Sequence, residues 1–352
     1  MTSASSFSLR PGYEISRIIR GGWQLAGGHG VIDRSRAVAD LMASAEAQIL
    51  TFDCADIYTG VEELIGAFRR EYSLRCGRDA LKRIKVHTKF VPDLDILPAI
   101  TKAHVAAIID RSLKRLGMDR LDLVQFHWWD YAVPGCVEAA LWLKELQQEG
   151  KIDRLGGTNF DTPHTDELLK AGVPLIAMQV QYSLIDARPE NGLIDLCRAN
   201  DIHLLPYGTA AGGFLSDAWL GRPEPAGPFD NRSLTKYKLI IDDFGGWDLF
   251  QELLHALHNI AGRHGVDIAT VAGRAILDRP QVAGVIVGAR NQAHLAANLK
   301  ILEIDLSPAD HAEIVEALSR RIGPLGDTFT LERDRLGRHG AIMKYNLGRQ
   351  VS

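Results

Sequence analysis

Cysteine is scarce in this sequence and never closely paired. Only Cys54, Cys76, Cys136 and Cys197 occur in 352 residues, and no two form a CxxC. That spacing excludes a disulfide scaffold and a cysteine-rich zinc fold, and it fits a reducing compartment. Long apolar runs are missing too; none approaches the roughly 20 residues that cross a bilayer. The first ten residues are polar and rich in serine, without the apolar stretch of a secretory leader, so a cytoplasmic protein is expected. There is no excess of positive charge. With 40 Lys and Arg against 44 Asp and Glu, the formal net charge is −4, which argues against nucleic-acid or membrane-surface partners. Twelve histidines include no HxH or HExxH pair, so a metal-dependent hydrolase and a resident metal are not expected. His255 and His258 read as one solvated helix face. The open-sheet dinucleotide fingerprint is also absent: Gly27-Gly28-His29-Gly30 has the wrong spacing for GxGxxG.

What remains is a regular alternation. Apolar runs rich in β-branched residues read as strands at 15–19, 49–54, 84–90, 121–126, 152–156, 175–180, 202–206 and 282–287. Between them lie amphipathic patterns at 36–48, 61–70, 100–116, 137–149, 165–171, 193–199 and 249–264. Ile108, Leu113 and Leu116 recur at helical spacing with Gly117 as a stop, and Pro163 after Asp161 and Thr162 marks a helix start. Eight strands joined by crossover helices predict a parallel sheet closed into a (β/α)₈ TIM barrel, one domain over 1–352. Two stretches break the pattern. A Gly- and Pro-rich stretch predicts a long loop over about 216–247, on the face where barrel active sites sit. A polar tail, about 323–352, either wraps the barrel mouth or lacks order.

Polar residues at the C-terminal ends of barrel strands are the first functional candidates. Asp53 ends strand two, Lys89 strand three and His127 strand four, with Tyr58 in the loop after strand two. A lysine beside a tyrosine favours the phenolate and lowers its pKa, and a carboxylate beside the lysine keeps it charged. A histidine orients or polarises a substrate oxygen. Such a set hands a proton to a carbonyl in reduction or takes one from an alcohol in oxidation. Trp23, Trp128, Trp129 and Tyr131 cluster nearby. Trp23 and Trp128, with Tyr58 and His127, are expected to line the substrate pocket.

These residues, in this order, resemble the aldo-keto reductase family, over roughly 18–306. Asp53-x-Ala55-x-x-Tyr58, continued by Gly60, Glu62, Leu64, Ile65 and Gly66, is similar to the family's Asp–Tyr signature. His87-Thr88-Lys89 and Leu121 to His127 match the other two members of its tetrad. The resemblance implies that Tyr58 is the acid/base, that Lys89 and Asp53 tune it, and that His127 positions the carbonyl. It implies a nicotinamide cofactor, with Thr158, Asn159 and Gln179 holding the carboxamide and Tyr207 stacked on the ring. Gly208, Thr209, Gly213, Phe214 and Leu215 would run along the pyrophosphate, where close backbone N–H groups suit an anion. Gly22 and Trp23 join the cofactor contacts, and Gly21 to Leu25 is similar to the sugar-dehydrogenase-like branch. The terminal cofactor loop is matched by the stretch from Val287 to Asn298. Gly288 and His294 face the cofactor there, Arg290 pairs a ribose 2′-phosphate and Asn298 reaches the adenine. NADP(H) is therefore favoured. NAD(H) is the alternative, because His294 stands where the family often has Gln or Arg. Gly156-Gly157-Thr158 replaces a commoner Gly-Val-Ser, which is expected to loosen the strand end. The activity implied is interconversion of a carbonyl (aldehyde, ketone or sugar lactol) and an alcohol. The competing reading is a cofactor-binding barrel used as a regulatory or interaction subunit, as in potassium-channel β subunits of the family, although all four tetrad residues are present. No oligomeric state follows from the sequence.

Overall fold

The computed structural model describes residues 5–26, 32–229, 231–288 and 293–348. Its centre is a closed barrel of eight parallel strands: β3 (Ile18–Gly21), β4 (Thr51–Asp53), β5 (Lys85–Phe90), β6 (Leu121–Phe126), β7 (Ile152–Thr158), β8 (Leu175–Gln181), β9 (His203–Tyr207) and β10 (Val285–Gly288). Each pairs with its successor, and β10 closes the ring onto β3. The sheet is parallel because each strand is followed by a helical crossover, the connection parallel neighbours require. All eight expected strands are present.

The connecting helices begin and end where local chemistry dictates. The helix Lys102–Leu116 starts at Thr101, whose hydroxyl accepts from the His104 amide, and stops at Gly117 in the left-handed region (φ 62°). It buries Val105, Ile109, Ser112 and Leu116. The helix Val61–Cys76 packs so closely on it that a Cβ at Gly66 would lie 2.2 Å from the Arg115 carbonyl oxygen. Asp161 caps the helix Thr162–Lys170 by accepting from the His164 amide at 3.0 Å, with a proline in its first turn.

Two features depart from the sequence reading, and a third decides between alternatives it left open. First, an antiparallel hairpin precedes the barrel: β1 (Ser6–Arg10) and β2 (Tyr13–Ser16). It inserts Leu9, Tyr13 and Ile15 among the interior residues Ile19, Leu123, Ala177 and Leu205. The Tyr13 ring faces Lys85, the first residue of β5, and stacks on His87 at 6.2 Å, so the hairpin floors the N-terminal end of the barrel. Each of its three buried apolar side chains contributes about 1.5–3 kcal/mol. Second, the segment about 216–247 is not all loop. Asn231 caps a helix, Arg232–Phe244, that buries Tyr237, Ile240, Ile241 and Phe244. The prolines and glycines that suggested a loop all precede it. Third, the tail wraps the barrel mouth. A short helix, Thr330–Arg333, places Glu332 against Arg188, where the guanidinium donates to Glu332 at 2.8 and 3.0 Å and to Asp186 at 2.9 and 2.8 Å. All three groups are buried. Breaking such a buried pair costs about 3–5 kcal/mol, so the tail is held firmly. Among the described residues no helix is long and apolar enough to cross a membrane, and no cluster of three candidate ligands offers a metal site.

Candidate active site

A cavity of about 770 Å³ opens at the C-terminal ends of the strands. Its reacting end is set by β4, β5 and β6. Alternation along a strand sends every second side chain into the barrel. Asp53, Lys89, Gln125 and His127 are therefore inward neighbours. The Lys89 ammonium donates to both Asp53 carboxylate oxygens, at 2.9 and 2.8 Å, and to the Cys54 carbonyl at 2.7 Å. Gln179 and Gln125 donate to Asp53 Oδ1 as well, at 2.6 and 3.2 Å. Every lysine hydrogen is committed and the pair is buried. Burial alone would discharge Lys89, but Asp53 outweighs it and its pKa is raised, so the ammonium persists.

Tyr58 follows in the β4 loop, its ring 5.1 Å from Lys89 Nζ and edge-on to Trp23 at 5.0 Å. The expectation that the lysine lowers the tyrosine pKa needs correction in its net sign. Burial raises it, Lys89 pulls it down, and burial wins. The phenol is thus protonated at neutral pH. One layer out, Glu62 accepts from the Thr88 hydroxyl at 2.7 Å and pairs with Arg115, fixing the strand between His87 and Lys89.

His127 donates from Nδ1 to the Thr158 carbonyl at 2.9 Å. A carbonyl only accepts, so Nδ1 carries the hydrogen and the neutral ring leaves Nε2 as an acceptor. Nε2 is buried without a partner among the described residues. Burial, helped by the nearby Arg333 guanidinium, drives the His127 pKa down to about 3. The Trp129 ring stands edge-on to His127 at 4.4 Å and Phe329 does so at 5.7 Å.

The structure brings most of the sequence candidates to one cavity. Asp53, Tyr58, Lys89, His127, Trp23, Thr158, Asn159, Gln179, Tyr207, Gly208, Thr209, Gly213, Leu215, Gly288, His294 and Asn298 all line it. Arg290 lies outside the described residues. Gly22 does not line the cavity; its amide donates to the Asp53 carbonyl at 2.8 Å and a Cβ there would strike that oxygen. Phe214 is fully buried among Trp219, Trp247 and Phe250. Trp128 is likewise turned into the core, its indole donating to the Asp130 and Val133 carbonyls, and Trp129 faces the cavity in its place. Nor is the strand end at Gly157 loose. β7 continues through Thr158, and Met178 packs where a Gly157 Cβ would be, 2.7 Å from its Cε.

The donor set fits a nicotinamide. Asn159, in the left-handed region (φ 60°), is pinned by its amide to the Gln179 carbonyl at 2.9 Å and accepts from the Tyr207 hydroxyl at 3.0 Å. Among the described residues its side-chain amide nitrogen and the Thr158 hydroxyl remain for a carboxamide. Reading the sequence missed Gln125, Lys236 and the tail residues Phe329, Ile342, Met343, Lys344 and Leu347. Gln125 was within reach, because it lies two residues before His127 on the same face of β6.

Comparison with known proteins completes the picture. The chain is 29% identical over 329 residues to aldo-keto reductase YhdN of Bacillus subtilis (strain 168), covering 90% of this chain and 95% of that one. It is 26% identical to the NADH-specific methylglyoxal reductase of Escherichia coli (strain K12), covering 87% and 96%. The fold matches the glycerol dehydrogenase AKR11B4 of Gluconobacter oxydans with a TM-score of 0.77 at 22% identity, over 94% of this chain and all of that one. Residues 17–319 match the model of the Aldo/keto reductase family, and the chain belongs to that family of nicotinamide-dependent oxidoreductases.

Proposed function

We propose that this protein interconverts a carbonyl compound (an aldehyde, ketone or sugar lactol) and the corresponding alcohol, with Tyr58 as general acid/base and NADP(H) as the favoured cofactor. The observation that carries the reading is the Lys89 ammonium, locked by Asp53 and set against the Tyr58 ring in the cavity. In reduction the protonated Tyr58 phenol gives its proton to the carbonyl oxygen, and Lys89 steadies the phenolate left behind. The new hydroxyl then donates to His127 Nε2, which orients the oxygen in its alcohol form. In oxidation the proton returns from that hydroxyl to Tyr58. Bound nicotinamide supplies the hydride for reduction and accepts it in oxidation. Thr158, Asn159 and Gln179 would hold its carboxamide, and Tyr207 would lie against its ring. The indole of Trp129 and the ring of Phe329 keep water from the reacting oxygen. The preference for NADP(H) rests on Arg290 in the sequence, with His294 and Asn298 on the cavity wall. One relative's name says NADH-specific and another's carries NADP(+), so family alone does not choose. Four free cysteines support a reducing, cytoplasmic setting.

Titration of the purified protein with NADPH and NADH, read by quenching of Trp23 and Trp129 fluorescence, tests the cofactor assignment. Tighter NADPH binding is expected. Tighter NADH binding removes Arg290 as a phosphate contact, and binding of neither overturns the proposal. Turnover of a carbonyl, lost in Tyr58→Phe, separates an enzyme from a cofactor-binding interaction subunit.

A further inference from the structure

Opposite the Lys89–Asp53 pair, the helix Arg232–Phe244 and the tail contribute a second lysine to the cavity wall. Lys236 Nζ lies 5.3 Å from the centre of the Tyr207 ring, 5.8 Å from that of Tyr237 and 5.4 Å from that of Phe329. It makes no hydrogen bond among the described residues. Its nearest carboxylate oxygen, on Glu332, is 4.0 Å away and already accepts from Arg188 at 3.0 Å. A half-buried ammonium set among rings on the cavity wall, with its hydrogens uncommitted among the described residues, is placed to meet a ligand in the cavity. The surrounding charges sharpen the point. Of the two acidic residues on the cavity wall among the described residues, Asp53 is consumed by Lys89 and Asp267 caps the helix Ile268–Leu277. Arg232, one turn before Lys236, spends its Nε and Nη2 on the Ile342 carbonyl, and Lys344 stands exposed at the rim. Among the described residues this wall offers cations and no free carboxylate.

We propose that Lys236 forms an anion subsite for the substrate, which carries a carboxylate or similar acidic group on the same molecule as its reacting carbonyl or alcohol. Its position favours the substrate over the cofactor's phosphates. Phe329, which touches Lys236, also packs edge-on against His127, so the amine belongs to the reacting end of the cavity. Burial lowers the lysine pKa and Glu332 opposes that fall. The rings of Tyr207, Tyr237 and Phe329 stabilise the cation and exclude competing water. This inference builds on the oxidoreductase reading, but its binding test is independent of turnover.

The test uses ligand pairs of equal shape and different charge. Benzoate and benzamide are titrated into the full-length protein and followed by tryptophan fluorescence. Carboxybenzaldehydes (3- and 4-) and their carbamoyl counterparts are compared as substrates. A charge-assisted hydrogen bond should favour each acid about tenfold or more over its amide, in Kd and in kcat/KM. Lys236→Met should bring both ratios near one, Lys236→Arg should keep them, and Kd for the nicotinamide cofactor should stay within about twofold. Lys236→Gln serves if the methionine variant does not fold. An acid-to-amide ratio near one in the unaltered protein overturns the proposal without any variant. So does an unchanged ratio in Lys236→Met, or a loss of cofactor affinity, which would give the lysine to the cofactor's phosphates. Benzoate binding that depends on Lys236 without turnover of any aldehyde would support the subsite and reject the oxidoreductase reading. Turnover without charge preference would do the reverse.

Discussion

Replacing Asp53 with asparagine keeps the shape of the site and removes one charge. Lys89 then loses the two carboxylate contacts, at 2.9 and 2.8 Å, that oppose its burial. Removing one partner of a buried ion pair costs about 3–5 kcal/mol. At an unfolding entropy of roughly 2.1 cal/mol/K per residue, that lowers Tm by about 4–7 °C for a chain of this length. The sign of the pH dependence is a sharper check. In the unaltered protein the folded pKa of Lys89 is raised, so its contribution is present below the unfolded value near 10.4 and fades only as pH rises through the folded value. In Asp53→Asn burial loses its main opponent, and the folded pKa should fall below the unfolded one. Charging the lysine then opposes folding, so the variant's deficit should grow as pH falls from about 10 to 7. Calorimetric melts of both proteins at several pH values measure this directly. A Tm loss under about 1 °C, or a deficit independent of pH, would refute the claim that this carboxylate holds a buried ammonium. Carbonyl reduction should fall as well, since a neutral lysine no longer steadies the Tyr58 phenolate.

Other outcomes follow from the same geometry. Tyr58→Phe should lower turnover by about 10²-fold or more with cofactor affinity nearly unchanged, measured by steady-state kinetics and fluorescence titration. Because burial raises the Tyr58 pKa, reduction should hold level through pH 6–8 while oxidation accelerates towards alkaline pH; an oxidation rate flat up to pH 10 would contradict this. His87 and His127 are buried with pKa values near 3, against about 6.5 unfolded. Each should drain stability by about 1.4 kcal/mol per pH unit as pH falls below 6.5, and the slope of urea-unfolding free energy against pH should shrink in His87→Gln. Glu332 has its pKa pulled to about 2 by Arg188, so its contribution is present above the unfolded value near 4.3 and lost as pH falls through about 2. Glu332→Gln should loosen the tail at neutral pH, seen as earlier proteolysis after residue 323.

How far the sequence foretold this depends on the range of the interaction involved. Strand existence and the order Asp53, Tyr58, Lys89, His127 were legible, since alternation and strand ends are local signals. The hairpin 6–16 was hidden because its short strands carry serine, glutamate and arginine on their exposed side and reveal themselves only against the barrel floor. The helix 232–244 was masked by the prolines upstream of it. Trp128 and Trp129 show a rule applied too loosely. Leu123, Gln125 and His127 point inward, and the same parity carried one step further selects Trp129. The tail was opaque for a different reason. Arg188 and Glu332 meet 144 residues apart, and nothing near either announces the other. Lys236 was overlooked because the helix that carries it was read as loop.

The tail also has a bearing on how the protein becomes active during synthesis. The barrel strands end at Gly288, yet Phe329, Met343 and Leu347 still have to reach the cavity. A nascent chain with the sheet closed but the last segment inside the ribosome has Asp53, Tyr58, Lys89 and His127 in place and one wall of the cavity open to water. The cavity wall is therefore completed in a separate, late step, when Glu332 engages Arg188. The same separability gives evolution a means of changing what the enzyme accepts by rewriting a peripheral strap, without disturbing the strands that hold Asp53, Lys89 and His127.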